Sequence, residues 1–184
     1  MRATFALLTN RHIENQINRL AWQIHLRWYT GVQPRCLAPH VSLKQPFDIG
    51  DKLDVLEQYM TDVTATVPPI TLELTDFFVW ETVFAVNVKE TTILRTLHNR
   101  LNDELPRLFG DVSALHDGEE YHFHLTVATG GASPETYQAI YETYAQVPVA
   151  TTFTAYELAL FVYHEQSSGI RDYLTHTVLP LTGA

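Results

Sequence analysis

The sequence predicts an α+β fold: antiparallel sheet and amphipathic helices, in an order that runs twice along the chain. Three observations point there. Strand-length apolar runs alternate with stripes of helical period. The order strand, helix, short motif strand, helix, long strand occurs twice: strand one to His40 spans roughly 36 residues and Val83 to His124 roughly 41, while His40 to Ile70 and His124 to Phe153 each span about 30. No linker rich in Gly, Ser or Pro separates the halves, so residues 1–184 form a single unit with repeats of about 1–80 and about 81–184.

Taken in order, Thr4–Thr9 is a buried-strand run with Phe5, Leu7 and Leu8, and it reads as a first strand rather than a signal peptide, since no A-x-A-like cleavage site follows. Asn10 suits an N-cap, and Ile13, Ile17, Leu20, Ile24 and Leu26–Trp28 follow at helical spacing until Gly31 and Pro34 break it. His40–Phe47 is a strand closed by Pro46. A second helix starts within Asp48–Asp51 and carries Leu53, Leu56, Met60 and Val63, ending at Pro68-Pro69. Ile70–Trp80 alternates as a long strand. The second pass has a strand over Thr82–Val88, a helix marked by Ile93, Leu94, Leu97, Leu101, Leu105 and Leu108, and a polar loop over Gly110–Glu120. A strand over His122–Ala128 follows, then a helix opened by Ser133-Pro134-Glu135. Thr152–His164 reads as one long strand and Ile170–Leu179 as the last.

Bulk properties narrow the function. The chain has 184 residues and a net charge of −9, which argues against a long nucleic-acid clamp but not against a small phosphorylated ligand held by a few groups. No apolar run reaches transmembrane length, so no membrane partner is expected. Cys36 is the only cysteine, which suits a reducing cytoplasm. The sequence leaves the oligomeric state open.

The chemistry gathers in Pro39-His40-Val41-Ser42-Leu43 and His122-Phe123-His124-Leu125-Thr126-Val127. Residues i and i+2 of a strand share a face, so each imidazole points the same way as its hydroxyl partner while Val41, Leu43, Leu125 and Val127 turn to the other side. With nine histidines, chance would supply about one or two His-x-Ser/Thr matches. Their equivalent places in a repeated order are what chance does not supply.

These two motifs, in register across a duplication, resemble the paired signatures of the two-histidine phosphoesterase superfamily, which includes 2′-5′ RNA ligase-like proteins and cyclic nucleotide phosphodiesterases. The resemblance covers nearly the whole chain; Ser42 stands where the first motif often has threonine. It implies two pseudo-symmetric, βαβ-rich lobes with antiparallel sheets flanking a central cleft, one motif strand per lobe. It also implies His40 and His124 as the acid/base pair, with Ser42 and Thr126 holding phosphate oxygens and no cofactor required. The substrate class would be a small nucleotide or RNA-end phosphodiester, either a 2′,3′-cyclic phosphate or a 2′-5′ linkage, with ligation as the reverse reaction. Two imidazoles suit this chemistry, because a hydroxyl must lose a proton on one side of phosphorus while the leaving oxygen gains one on the other. Hydroxyl donors suit the non-bridging oxygens.

Other residues carry secondary expectations. Lys44, two past Ser42, is a candidate phosphate contact or else a solvated strand-end lysine. His122 shares a face with His124 and is a candidate substrate contact. Among Phe5, Phe47, Phe84, Tyr163 and Tyr173, ordinary sheet packing competes with base stacking; Tyr173 is singled out because the last strand often borders the cleft in the resembled family. Two rival readings stay open: a protein that holds a phosphorylated ligand without turnover, and a zinc hydrolase. The latter would use His122 and His124, with His116 and Asp117 or with Glu119 and Glu120 completing the metal set.

Overall fold

The computed structural model describes residues 1–31, 37–149, 151–165 and 171–183, with backbone alone at 164–165 and 171–173. The strands are β1 (Arg2–Leu8), β2 (His40–Ser42), β3 (Phe47–Asp48), β4 (Ile70–Trp80), β5 (Val83–Val88), β6 (His124–Thr129), β7 (Thr151–Ala155), β8 (Glu157–Glu165) and β9 (Arg171–Pro180). The helices are α1 (Arg11–Trp28), α2 (Leu53–Thr66), α3 (Thr92–Phe109) and α4 (Pro134–Tyr144). Helix starts follow local chemistry. The Asn10 side chain accepts from the Ile13 N–H at 3.0 Å, Thr91 accepts from Leu94, and Ser133 caps α4 with Pro134 in its first turn.

All the pairings are antiparallel, within one sheet of order β7-β4-β5-β6-β2-β1-β8-β9, with β3 beside β1. The midline is the β2–β6 pair, where Val41 lies opposite Leu125. On either side the order is symmetric: β1 flanks β2 as β5 flanks β6. The next strands are exchanged, since β4 from the first half of the chain pairs with β5, and β8 from the second half pairs with β1. The motif strand expected over His40–Phe47 ends at Ser42. The strand expected over Thr152–His164 is two strands, interrupted at Tyr156. β7 pairs with β4 and β8 with β1, and the residues that join the main core cluster change parity across the break, from Phe153 and Ala155 to Leu158 and Leu160.

That break shows why the sheet is curled. Six strand spacings separate β7 from β8 in the order, about 29 Å in a flat sheet. One linking residue bridges only about 7 Å between its neighbours' Cα atoms. The sheet therefore bends round into a half-barrel. The outward-facing residues Val41, Leu125 and Val127 join one core cluster with Ile13, Ile24, Met60, Leu101 and Ile140 of the four helices. A smaller cluster joins Ala6, Ala159 and Phe161, from the other parity of β1 and β8, with Leu37 from the segment before β2.

Candidate active site

The β2–β6 pair sets the geometry. Because Val41 faces Leu125 in an antiparallel pair, His40 lies opposite Thr126 and Ser42 opposite His124. The four motif side chains occupy the corners of a square on one face, with like groups on the diagonals. Diagonal neighbours across such a pair are about 7–8 Å apart. All four residues are half-buried, whereas Val41 and Leu125 are fully buried. Both strands thus alternate as their sequences require.

Each histidine is held in the same manner. His40 Nδ1 lies 2.8 Å from the Ala38 carbonyl and His124 Nδ1 lies 2.9 Å from the His122 carbonyl. A carbonyl only accepts, so both Nδ1 atoms carry the proton and donate. In the neutral rings Nε2 is left as the basic nitrogen. Among the described residues the Ser42 and Thr126 hydroxyls make no hydrogen bond. The space above them is kept open by small neighbours: Ala6 lies opposite Ser42, and Ala85 lies opposite Thr126.

The two sides differ in what surrounds the rings. His40 lies opposite Leu8 on β1, and its ring and that of Phe161 form a T-shaped pair with centroids 4.6 Å apart. Burial in this apolar setting pushes its pKa down to about 4, against the hydrogen bond from Nδ1–H and with a further push from His124. His124 lies opposite Asn87 and borders Phe78 and His122. Its pKa is also lowered, by burial first, with the bond to the His122 carbonyl opposing and His122 reinforcing. His122 is fixed in turn: Asn87 Nδ2 donates to Asp76 Oδ2 at 2.9 Å, which turns Asn87 Oδ1 toward His122 Nε2 at 2.7 Å.

A cleft of about 590 Å³ opens beside His124 and Ser42, bordered by Lys44, Gln45, Pro46, Trp80, Val83, His116, Glu120, Tyr121 and His122. Lys44 does not stand free in it. Its ammonium is buried and ion-paired with Asp117 at 2.5 Å, and it also donates to Asn102 Oδ1 at 2.8 Å. With β2 ending at Ser42, Lys44 reaches inward to the loop before β6 rather than standing beside the motif hydroxyls. His98, fully buried, completes this support: its Nδ1 donates to the Leu43 carbonyl, and its Nε2 accepts from Gly118 and Asn102.

Phe5, Phe47 and Phe84 are core residues and Tyr163 is buried, so none presents a face to solvent. The Tyr173 side chain and Cys36 lie outside the described residues. Trp80 is the exposed cleft aromatic that the sequence does not single out, beside the buried Tyr121; as the last residue of an alternating strand it carries no signal beyond its size. Among the described residues no three His, Cys, Asp or Glu side chains converge as a metal-ligand set, so the zinc reading of His122 and His124 finds no third donor there. No helix of the described residues is long and apolar enough to cross a membrane.

A curled antiparallel half-barrel sheet with four helices is the fold of the two-histidine phosphoesterases. The chain belongs to the 2′-5′ RNA ligase superfamily, whose family model matches residues 10–167. Among solved structures it is similar to Escherichia coli LigT complexed with 3′-AMP, with 17% identity, 98% of each chain covered and a TM-score of 0.65. It is similar also to TT0787 of Thermus thermophilus, with 16% identity over 100% of this chain and 99% of that one and a TM-score of 0.63. Kluyveromyces marxianus Usb1 matches at 13% identity over 98% of this chain and 97% of that one, with a TM-score of 0.58. No curated protein matches the chain. Family membership supports phosphoesterase activity on a nucleotide or RNA substrate.

Proposed function

We propose that the protein is a metal-independent phosphoesterase acting on a 2′,3′-cyclic phosphate or a 2′-5′ phosphodiester, with His40 and His124 as the proton-transfer pair. The observation that carries this is the diagonal arrangement of two imidazoles, each with Nδ1 tied to the carbonyl two residues back, and two uncommitted hydroxyls at the other corners. A phosphorus at the centre of that square has one ring on each side, as in-line displacement requires. In hydrolysis of a cyclic phosphate, His40 Nε2 takes a proton from water as its oxygen bonds to phosphorus. The bond from phosphorus to one ribose oxygen breaks, and His124 delivers its Nε2 proton to that oxygen. Ser42 and Thr126 donate to the non-bridging oxygens, where charge is concentrated in the transition state. With a 5′-hydroxyl in place of water, the same steps join two RNA ends, and a 2′-5′ linkage breaks by the reverse course.

The assignment of His40 as base rests on its apolar surroundings, which keep it neutral well below pH 7. His124 lies opposite Asn87 rather than an apolar residue, and a bound phosphate anion favours its cationic form. The complex of LigT with 3′-AMP supports a mononucleotide-sized ligand. The lone cysteine of the chain suits a cytoplasmic location.

The test is incubation with 2′,3′-cyclic nucleotides and with 2′-5′ and 3′-5′ dinucleotides in EDTA, followed by product identification. Turnover is expected in EDTA, and His40→Ala and His124→Ala should each lose about a thousandfold or more in kcat. Full activity in either variant would remove the two-histidine mechanism. Binding of these nucleotides without turnover would leave a ligand-holding protein.

A further inference from the structure

The lining of the cleft contains a carboxylate, an unexpected group beside a site for anions. Glu120 borders the cleft and is exposed, with no hydrogen bond or ion pair among the described residues. Lys44, the one lysine or arginine among the described residues of the lining, is already neutralised by Asp117. A carboxylate so placed repels further phosphate groups and attracts N–H donors. Trp80 and His116 border the same space. Trp80 is 47% exposed, and its ring and that of His116 form a T-shaped pair with centroids 4.9 Å apart.

These groups are held in place. The segment carrying His116 and Glu120 is clamped between them: Asp117 Oδ1 accepts from the Gln45 N–H at 3.1 Å and its Oδ2 from Lys44, while the Gly118 N–H donates to His98 at 3.1 Å. Arg95 donates to the Gly118 and Tyr121 carbonyls at 2.6 and 2.9 Å, and the Tyr121 hydroxyl donates to the Ser42 carbonyl at 3.1 Å. That last bond ties this part of the lining directly to the motif strand. Trp80 is fixed from the other side by its pairing with Val83 at the β4–β5 turn.

We propose that this part of the cleft is a nucleobase subsite, with Trp80 as the stacking platform and Glu120 as the acceptor for a base with adjacent N–H donors, so that guanine is the preferred base. An aromatic face receives any base. A carboxylate distinguishes among them, because its two oxygens match the paired N1–H and N2–H donors of guanine and meet acceptor atoms on the same edge of adenine and cytosine. Cleft volume fits: about 590 Å³ accommodates one nucleoside beside the phosphate. This deepens the phosphodiesterase reading above and rests on it.

The experiment compares kcat and KM for the 2′,3′-cyclic phosphates of guanosine, adenosine, cytidine and uridine. The guanosine substrate should have the lowest KM, by about tenfold, a difference typical of a charged hydrogen-bond pair. Glu120→Gln should bring that ratio close to one while leaving the other three substrates within about twofold. Trp80→Ala should raise KM about five- to tenfold for all four, mainly without a change in kcat, and Trp80→Phe should restore most of it. Equal KM values across the four bases, or a guanosine preference that survives Glu120→Gln, would overturn the subsite. Turnover of none of the four would refute the underlying phosphodiesterase reading instead, so the two failures are distinct.

Discussion

Replacing His40 with Asn should flatten the acid side of the stability profile. The His40 pKa falls from 6.5 to about 4 on folding, so between those values the unfolded chain binds a proton that the folded one does not. Stability therefore rises with pH across that window, and acidification removes it. At about pH 4.5 an unfolded histidine is almost fully protonated and the folded one mostly neutral, which amounts to about 2.5 kcal/mol lost relative to pH 7.5. Carboxylates whose pKa values are lowered, such as Glu90 beside Arg95 and Glu104 beside Tyr59 and Arg100, also destabilise the fold as pH falls. They remain in the variant, so their share cancels in the comparison. Urea unfolding of both proteins at the two pH values gives four free energies, and the difference of differences isolates residue 40. The wild type should lose about 2.5 kcal/mol more than His40→Asn. Equal losses would mean that the folded ring titrates as freely as an unfolded one. The same shift predicts that the fall of kcat/KM on the acid side begins only as pH approaches about 4, where the base takes up its proton.

Two further substitutions test the supports of the cleft. Lys44→Met leaves Asp117 buried without its cation and should destabilise the fold by about 3–5 kcal/mol, read by urea unfolding; a change near zero would show that the pair is solvated in solution. Gly31→Ala places a methyl carbon 2.2 Å from the Thr129 carbonyl oxygen, where the loop after α1 crosses the end of β6, and should cost at least about 2 kcal/mol. An unaffected melting temperature would show that the loop yields at that crossing.

What was legible in the sequence was local. Period-2 alternation placed His40, Ser42, His124 and Thr126 on one face because Val41 and Leu125 had to be buried, and that fixes the square once the strands pair. Caps at Asn10 and Ser133 declared themselves through the residues that follow them. What was not legible involves partners far apart in the chain. Lys44 looks like an exposed strand-end cation until Asp117, 73 residues later, closes on it. The Asp76–Asn87–His122 chain crosses three segments, and no spacing within one element reports it. The parity change around Tyr156 was readable in principle. Phe153 and Ala155 against Leu158 and Leu160 mark a change of face, but Ala159 and Phe161 are apolar and buried as well, so β8 shows no alternation that would reveal it.

The exchange of β4 and β8 between the two sides of the sheet has a consequence for how the molecule can be divided. A cut in the turn between β4 and β5 leaves a first piece whose β4 has lost β5, and a second piece whose β8 has lost β1. Neither piece retains a contiguous half of the sheet, so each motif strand depends on the other half of the chain for its setting. Two identical copies of one half would reproduce this strand order only by trading their last strands, which is the geometry of a domain-swapped dimer. The covalent link at that turn does the work of such an association: it makes the assembly of the cleft independent of protein concentration.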